Sequence, residues 1–139
     1  MTEEPRLVRG SPERFSQVYG RPQTQADLRI EMEVHGAHTG VVGFTTVQQA
    51  DTLAERLALR PEMRLLDVGA GRGWPSLYLA RTTGCQVVLS DLPLPALLEG
   101  MTRAHRHSLQ DRSSFLAASG THLPFRPKSF DAVVHTDVL

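Results

Sequence analysis

Apolar residues in this chain fall into two kinds of run. Short unbroken runs lie at Leu65-Leu66, Val87-Val88-Leu89, Phe115-Leu116 and Ala132-Val133-Val134. Runs of this length suit strands of a parallel sheet covered on both faces. The strands they predict are one ending at Asp67-Val68, one over Gln86–Asp91, one over Ser114–Ala118 and one over Phe130–His135. Between them the apolar spacing becomes helical. Val47, Ala50, Leu53, Ala54 and Leu57 recur on one face, behind Thr46 and Gln49 placed as a capping box. That helix ends before Arg60-Pro61. A second helix runs from about Trp74 to Arg81 and ends near Gly84. A third runs from about Leu94 to Ser108, with Leu94, Leu97, Leu98, Met101 and Ala104 as its buried stripe. Arg103 and Arg106 fall off that stripe. Ahead of all this lie helical stretches over residues 13–35 and a glycine-rich loop from Gly36 to Gly43. Residues 1–12, charged and containing proline, read as loosely attached. The division is a helical and loop extension over 1–45 and an α/β domain over 46–139.

The junction after the first strand carries the chemistry. It reads Asp67-Val68-Gly69-Ala70-Gly71-Arg72-Gly73-Trp74. Alternate glycines permit positive φ and let a ligand lie against bare backbone. The helix start that follows offers unpaired N–H groups to negative atoms. Asp67 adds a carboxylate beside the turn. This combination suits a nucleoside-bearing ligand that also carries positive charge. The dinucleotide fingerprint G-x-G-x-x-G fits less well, because its third glycine position is Trp74 and an acid at 67 would repel a pyrophosphate. The second strand ends at Asp91, placed to accept hydrogen bonds from a ribose diol; the alternative is that Asp91 only caps the following helix.

This turn resembles motif I of the class I S-adenosylmethionine-dependent methyltransferases, an acid-x-G-x-G-x-G pattern. The later stretch Ser119-Gly120-Thr121-His122-Leu123-Pro124-Phe125, followed by Ser129-Phe130-Asp131-Ala132-Val133-Val134, resembles that family's D-A-x-x-L-P-F…S-F-D-x-V. The resemblance implies a Rossmann-like sheet in the order 3-2-1-4. It implies S-adenosyl-L-methionine as cofactor, held by Asp67, Gly69, Ala70, Gly71, Gly73, Asp91, Leu92, Ser119, Gly120 and Thr121. Ser119 departs from the family pattern, since an acid usually stands there to meet the adenine amino group. A serine hydroxyl accepts a bond without charge. Related enzymes place acceptor-facing groups after the fourth strand, where His135, Thr136 and Asp137 lie. His135 is the candidate base, because imidazole titrates near neutral pH; the alternative is a structural role. Tyr19, Phe44, Thr45 and Thr46 precede motif I, where family members carry helices that cover the cofactor; ordinary packing and capping is the preferred reading of Phe44 and Thr46.

Composition narrows the partners. The 139 residues hold 15 Lys+Arg and 15 Asp+Glu, so the formal net charge is zero. No basic field draws in DNA and no polybasic stripe points to a membrane surface. The start has no apolar signal-peptide core and no run reaches membrane-spanning length, so the expected location is cytoplasmic. Cys85 is expected as a small buried apolar residue. The six histidines lack metal-ligand spacing, so no metal is expected.

The family sheet usually has seven strands, and this chain supplies the first four, so the reading is a cofactor-binding half truncated after strand four. The expected function is methyl transfer to an unknown acceptor, a small molecule being favoured. The chain by itself is expected to be inactive. Its uncovered fourth strand is expected to promote self-association. The alternatives are a non-catalytic methyltransferase-like subunit and, behind it, an NAD-dependent oxidoreductase.

Overall fold

The computed structural model describes residues 11–40 and 43–136. Residues 1–10, together with Asp137, Val138 and Leu139, lie outside the described residues. Among the described residues three helices are followed by strands and helices in turn and then by two strands: α1 (Pro12–Gly20), α2 (Gln25–His35), α3 (Val47–Arg56), β1 (Arg64–Val68), α4 (Ser76–Thr83), β2 (Gln86–Asp91), α5 (Leu94–Arg106), β3 (Ser113–Ala117) and β4 (Ala132–Val134). The strands form one parallel sheet in the order β3-β2-β1-β4, the order that the family resemblance implies.

Local signals set the helix starts. Thr46 and Gln49 make the expected capping box: Thr46 Oγ1 accepts from Gln49 N–H and Gln49 Oε1 accepts from Thr46 N–H. Thr24 and Asp27 make a second one at α2. Each satisfies two N–H groups that a bare helix start leaves unpaired. Gly84 ends α4 in the left-handed conformation, its N–H bonded to Ala80 O.

β1 lies between β2 and β4, with Leu66 paired to Val88 on one side and Val133 on the other. Leu65, Val87, Leu89, Leu79 and Cys85 are fully buried between sheet and helices, Cys85 in the apolar role expected of it. β4 is short, and Asp131 pins its start. Asp131 Oδ2 accepts from Arg64 N–H at 2.7 Å and Asp131 N–H donates to Arg64 O at 2.9 Å. Phe130 meets Phe125 edge-on at 4.8 Å, with the Arg64 guanidinium over the Phe130 ring. The Ser129-Phe130-Asp131 stretch therefore sets strand register.

The stripe expected on α5 is displaced. Ala96, Leu97, Gly100 and Ala104 are buried, whereas Leu94, Leu98 and Met101 are about half exposed. The reason is how closely α5 approaches the sheet. A Cβ on Gly100 would lie 2.9 Å from Phe115 Cε1 and 3.4 Å from the Arg72 backbone. At Gly100 only a residue without a side chain fits, and Leu94, Leu98 and Met101 turn outward while Leu97 stays buried. Gly100→Val is therefore expected to destabilise the fold by roughly 1–3 kcal/mol through overpacking. Urea unfolding measures this, and an unchanged midpoint would contradict so close a contact.

Candidate cofactor site

The site residues come from three sequence segments that meet at the C-terminal ends of β1, β2 and β3. In an open parallel sheet this edge, beside the point where strand order reverses, is where a crevice forms. Here the reversal falls between β1 and β4.

The turn after β1 is closed onto the end of β2 by backbone. Gly69 N–H and Ala70 N–H both donate to Ser90 O, at 2.8 and 3.1 Å. Gly71 N–H donates to Asp91 Oδ2 at 2.7 Å, and Leu92 N–H donates to Asp91 Oδ1 at 2.7 Å. Asp91 thus does not cap α5, whose N-cap Pro93 makes no side-chain bond. It joins β2 to the glycine turn. Each carboxylate oxygen has about two acceptor positions, so both retain capacity for a diol. Gly71 has φ +54°, a conformation that L side chains rarely adopt. A Cβ there would also meet the Tyr19 hydroxyl at 2.8 Å. Tyr19, from the end of α1, therefore lies over the turn.

Gly120 brings in the third segment. A Cβ on it would approach Val68 Cγ1 to 3.0 Å, so the 119–121 turn lies against the end of β1. Ala118 N–H donates to Asp91 O at 3.0 Å. Ser119 Oγ shares a hydrogen bond with Thr121 Oγ1 at 2.9 Å and accepts from Thr121 N–H at 3.3 Å. Leu92 and Thr121 are exposed at the rim. His135 follows β4 and is exposed.

Asp67 is placed differently from a rim carboxylate. It is 1 % exposed, it accepts from Ser76 Oγ, and its Oδ1 has no hydrogen-bond partner. Burial pushes its pKa up to about 7, against the Ser76 hydrogen bond that lowers it, and the Asp91 charge adds to the rise. A buried acid with one unsatisfied oxygen beside a glycine turn favours a nearby positive charge.

The feature not read from the sequence is Arg72, the residue between two of the motif glycines. It is buried, and its guanidinium collects backbone carbonyls from two distant segments. Nη2 donates to Tyr19 O at 3.0 Å and Arg21 O at 3.1 Å, and Nη1 donates to Gly40 O at 3.2 Å. It also sits 5.2 Å from the Tyr19 ring centre. The N-terminal helices are thereby fastened to the turn itself. Trp74 adds a second tie: its Nε1–H donates to Thr45 O at 2.8 Å, and His35 Nδ1 lies 3.1 Å from the same oxygen. An arginine in a glycine motif signals only a polar position, and its partners are carbonyls, which carry no side-chain signature. Phe44 is largely exposed, and Thr46 serves α3 as its cap.

Asp67 gives the fold a pH dependence with a definite sign. The folded state holds its proton up to about pH 7, and the unfolded state releases it near 3.8. Between those values the folded state binds more protons, so stability falls as pH rises, by up to roughly 1.4 kcal/mol per unit. Denaturant titrations between pH 4 and 8 are expected to show this decline and its levelling above about 7. Asp67→Asn, which can keep the Ser76 bond, is expected to flatten it; an identical slope in the variant would assign the effect elsewhere.

Among the described residues no group of three or more His, Cys, Asp and Glu is arranged to hold a metal ion. No helix among them is long and apolar enough to cross a membrane.

Comparison with known proteins agrees with this geometry. A family profile described as "Methyltransferase domain" matches residues 66–139. Methyltransferase GfsG of Streptomyces halstedii is 36% identical over 86 residues, covering 62% of this chain and 31% of that protein. Other curated relatives carry the names sterol 24-C-methyltransferase, ubiquinone/menaquinone biosynthesis C-methyltransferase and 27-O-demethylrifamycin SV methyltransferase. The chain spans about a third of the length of the curated relatives it matches. Two solved structures are similar in fold. A Geobacter sulfurreducens methyltransferase in complex with S-adenosyl-L-homocysteine has a TM-score of 0.53 and 28% identity, over 65% of this chain and 36% of its own. The [4+2]-cyclase SpnF has a TM-score of 0.64 and 25% identity, over 88% of this chain and 48% of its own.

Proposed function

Because this chain belongs to the methyltransferase-domain family, we propose that it forms the S-adenosyl-L-methionine site of an enzyme that methylates a small molecule. The observation that carries the reading is the meeting of three motifs at one sheet edge, with Gly71 N–H on Asp91 and Gly120 against Val68. The residues also fit the cofactor's charge, since Asp67 keeps a buried oxygen without a partner.

In this reading Asp91 accepts the ribose hydroxyls. Gly69, Ala70 and Gly71 form the turn beside the nucleoside under Tyr19, Gly73 packs inward against Leu77 and Leu89 and shapes that turn, and Leu92 offers an apolar surface to the purine. Ser119, Gly120 and Thr121 border its polar edge, with hydroxyls in place of the family's acid. Asp67 favours the cationic end from behind the turn. When bound, this cofactor supplies an electrophilic methyl group on a sulfonium. The chain's own work is to hold the ligand in line and keep water out. The extension over 1–45 serves that end, since Tyr19 lies over Gly71 and Arg72 fastens α1 there. His135 is the proposed base, on the exposed side of β4 where an acceptor would approach.

An apolar acceptor is supported by the exposed Ile30, Val34 and Phe44 on the N-terminal segment and by Val133 on β4. The neutral chain supports an acceptor other than DNA and a cytoplasmic location away from membranes. β4 pairs only with β1 among the described strands, which supports self-association through that edge. The likeness to a [4+2]-cyclase supports a second reading, in which the same fold serves a chemistry other than methyl transfer. Radiolabelled methyl transfer to candidate acceptors by a chain of the relatives' length separates the two.

S-adenosylhomocysteine is expected to raise the melting temperature and NAD to leave it unchanged; the reverse result would sink the proposal. Gly71→Val adds a β-branched side chain at a positive φ and against Tyr19. Its affinity for S-adenosylhomocysteine is expected to fall at least tenfold, about 1.4 kcal/mol, with the sheet retained by circular dichroism. Calorimetry reads the change, and unchanged affinity would place the ligand elsewhere.

A further inference from the structure

A second cleft lies between the N-terminal helices and the outer face of α5, with a volume of about 800 Å³. Asp91, Gly71 and the 119–121 turn do not line it. Its walls carry four guanidinium groups, those of Arg21, Arg72, Arg103 and Arg106, against one carboxylate, Glu99. The chain as a whole is neutral, so this is a local concentration of positive charge.

Two of the four are fixed. Arg72 is held by its three carbonyls. Arg103 donates from Nη2 to Gln23 Oε1 at 2.9 Å and from Nη1 to His38 O at 3.4 Å, and its Nε lies 3.4 Å from Glu99 Oε1. Carbonyl and amide oxygens orient both groups. Glu99, its ion-pair partner, and Glu31, buried behind Gln23, offset part of the Arg103 charge, whereas Arg72 is in no ion pair among the described residues. The other two, Arg21 and Arg106, are exposed, and neither is in an ion pair among the described residues, although the Asp27 carboxyl feels the charge of Arg21. His107, on the same wall, has its pKa lowered first by partial burial and then by Arg81, Arg103 and Arg106.

We propose that this cleft binds a small molecule bearing a phosphate-type polyanion, at a site that meets the glycine turn only through Arg72 and that Gly71, Asp91 and the 119–121 turn do not line. A guanidinium fork matches phosphate oxygens two at a time, and several forks converge well on one compact group with several negative charges. A monocarboxylate would answer only one of the excess charges. Two preset arginines lower the ordering cost, and the two exposed ones close over the ligand. Leu28, Leu98 and Pro95 on the walls receive an apolar body. The site does not depend on methyl transfer.

Calorimetric titration of the chain with inorganic pyrophosphate at about 0.15 M salt tests it, since screening there removes diffuse attraction beyond roughly 8 Å. The expected result is saturable one-to-one binding, unchanged by S-adenosylhomocysteine. The double variant R21Q/R106Q is expected to weaken it at least tenfold while melting as the parent does, because both side chains are exposed. Three results would overturn the proposal: a titration that never saturates, affinity unaffected by the double variant, or competition with S-adenosylhomocysteine. Phosphatidylglycerol vesicles and a short RNA are titrated in parallel. Binding to either of these with none to pyrophosphate would also overturn it, by assigning the arginines to a macromolecular surface.

Discussion

The closure of the glycine turn onto the end of β2 is the constraint on which the rest of the site depends. Two N–H groups share Ser90 O, and a third meets the Asp91 carboxylate. These bonds form only if β1 and β2 pair in the observed parallel register, with Asp67 opposite Leu89 and Val68 opposite Ser90. A slip of one residue would turn Asp67 to the opposite face, away from Ser76, and offset the Ser90 and Asp91 acceptors from the turn. The core and the site are thus specified by one pairing. The same closure uses most of the N–H groups the turn could show a ligand, which leaves the cradle defined by shape and by Asp91.

Asp67 illustrates how such a site holds unfavourable electrostatics in reserve. A fully buried carboxyl with one unsatisfied oxygen costs stability when ionised. The surrounding strands supply that cost from apolar burial of Leu65, Val87 and Leu89. A cation at the turn would reverse the sign of the interaction.

The N-terminal helices belong to the same physical unit as the turn. Arg72 and Arg103 reach from motif I and α5 to backbone and amide oxygens on the preceding segment, and α1 rests on α5. Because guanidinium groups reach several acceptors at once, two side chains position a segment that contributes little to the hydrophobic core. This arrangement also leaves positive charge gathered in the cleft beside α5.

By itself the sequence determined the parallel α/β strands and helices, the Thr46 capping box, the buried Cys85 and the glycine turn between two acids. Those follow from period, glycine placement and capping chemistry, which act over a few residues; the strand order came only with the resemblance of the motifs to a known family. Tertiary structure decided what depends on distance between elements. The α5 stripe turned so that Ala96, Gly100 and Ala104 face the sheet, because Phe115 and the Arg72 backbone come too close for larger side chains. Asp67 went into the interior behind Ser76, while Asp91 took the place beside the turn. Arg72 found its three carbonyls in segments up to 53 residues away, and no local pattern marks a backbone acceptor. Spacing along a chain encodes which face a residue occupies; what that face meets is settled only when the elements pack.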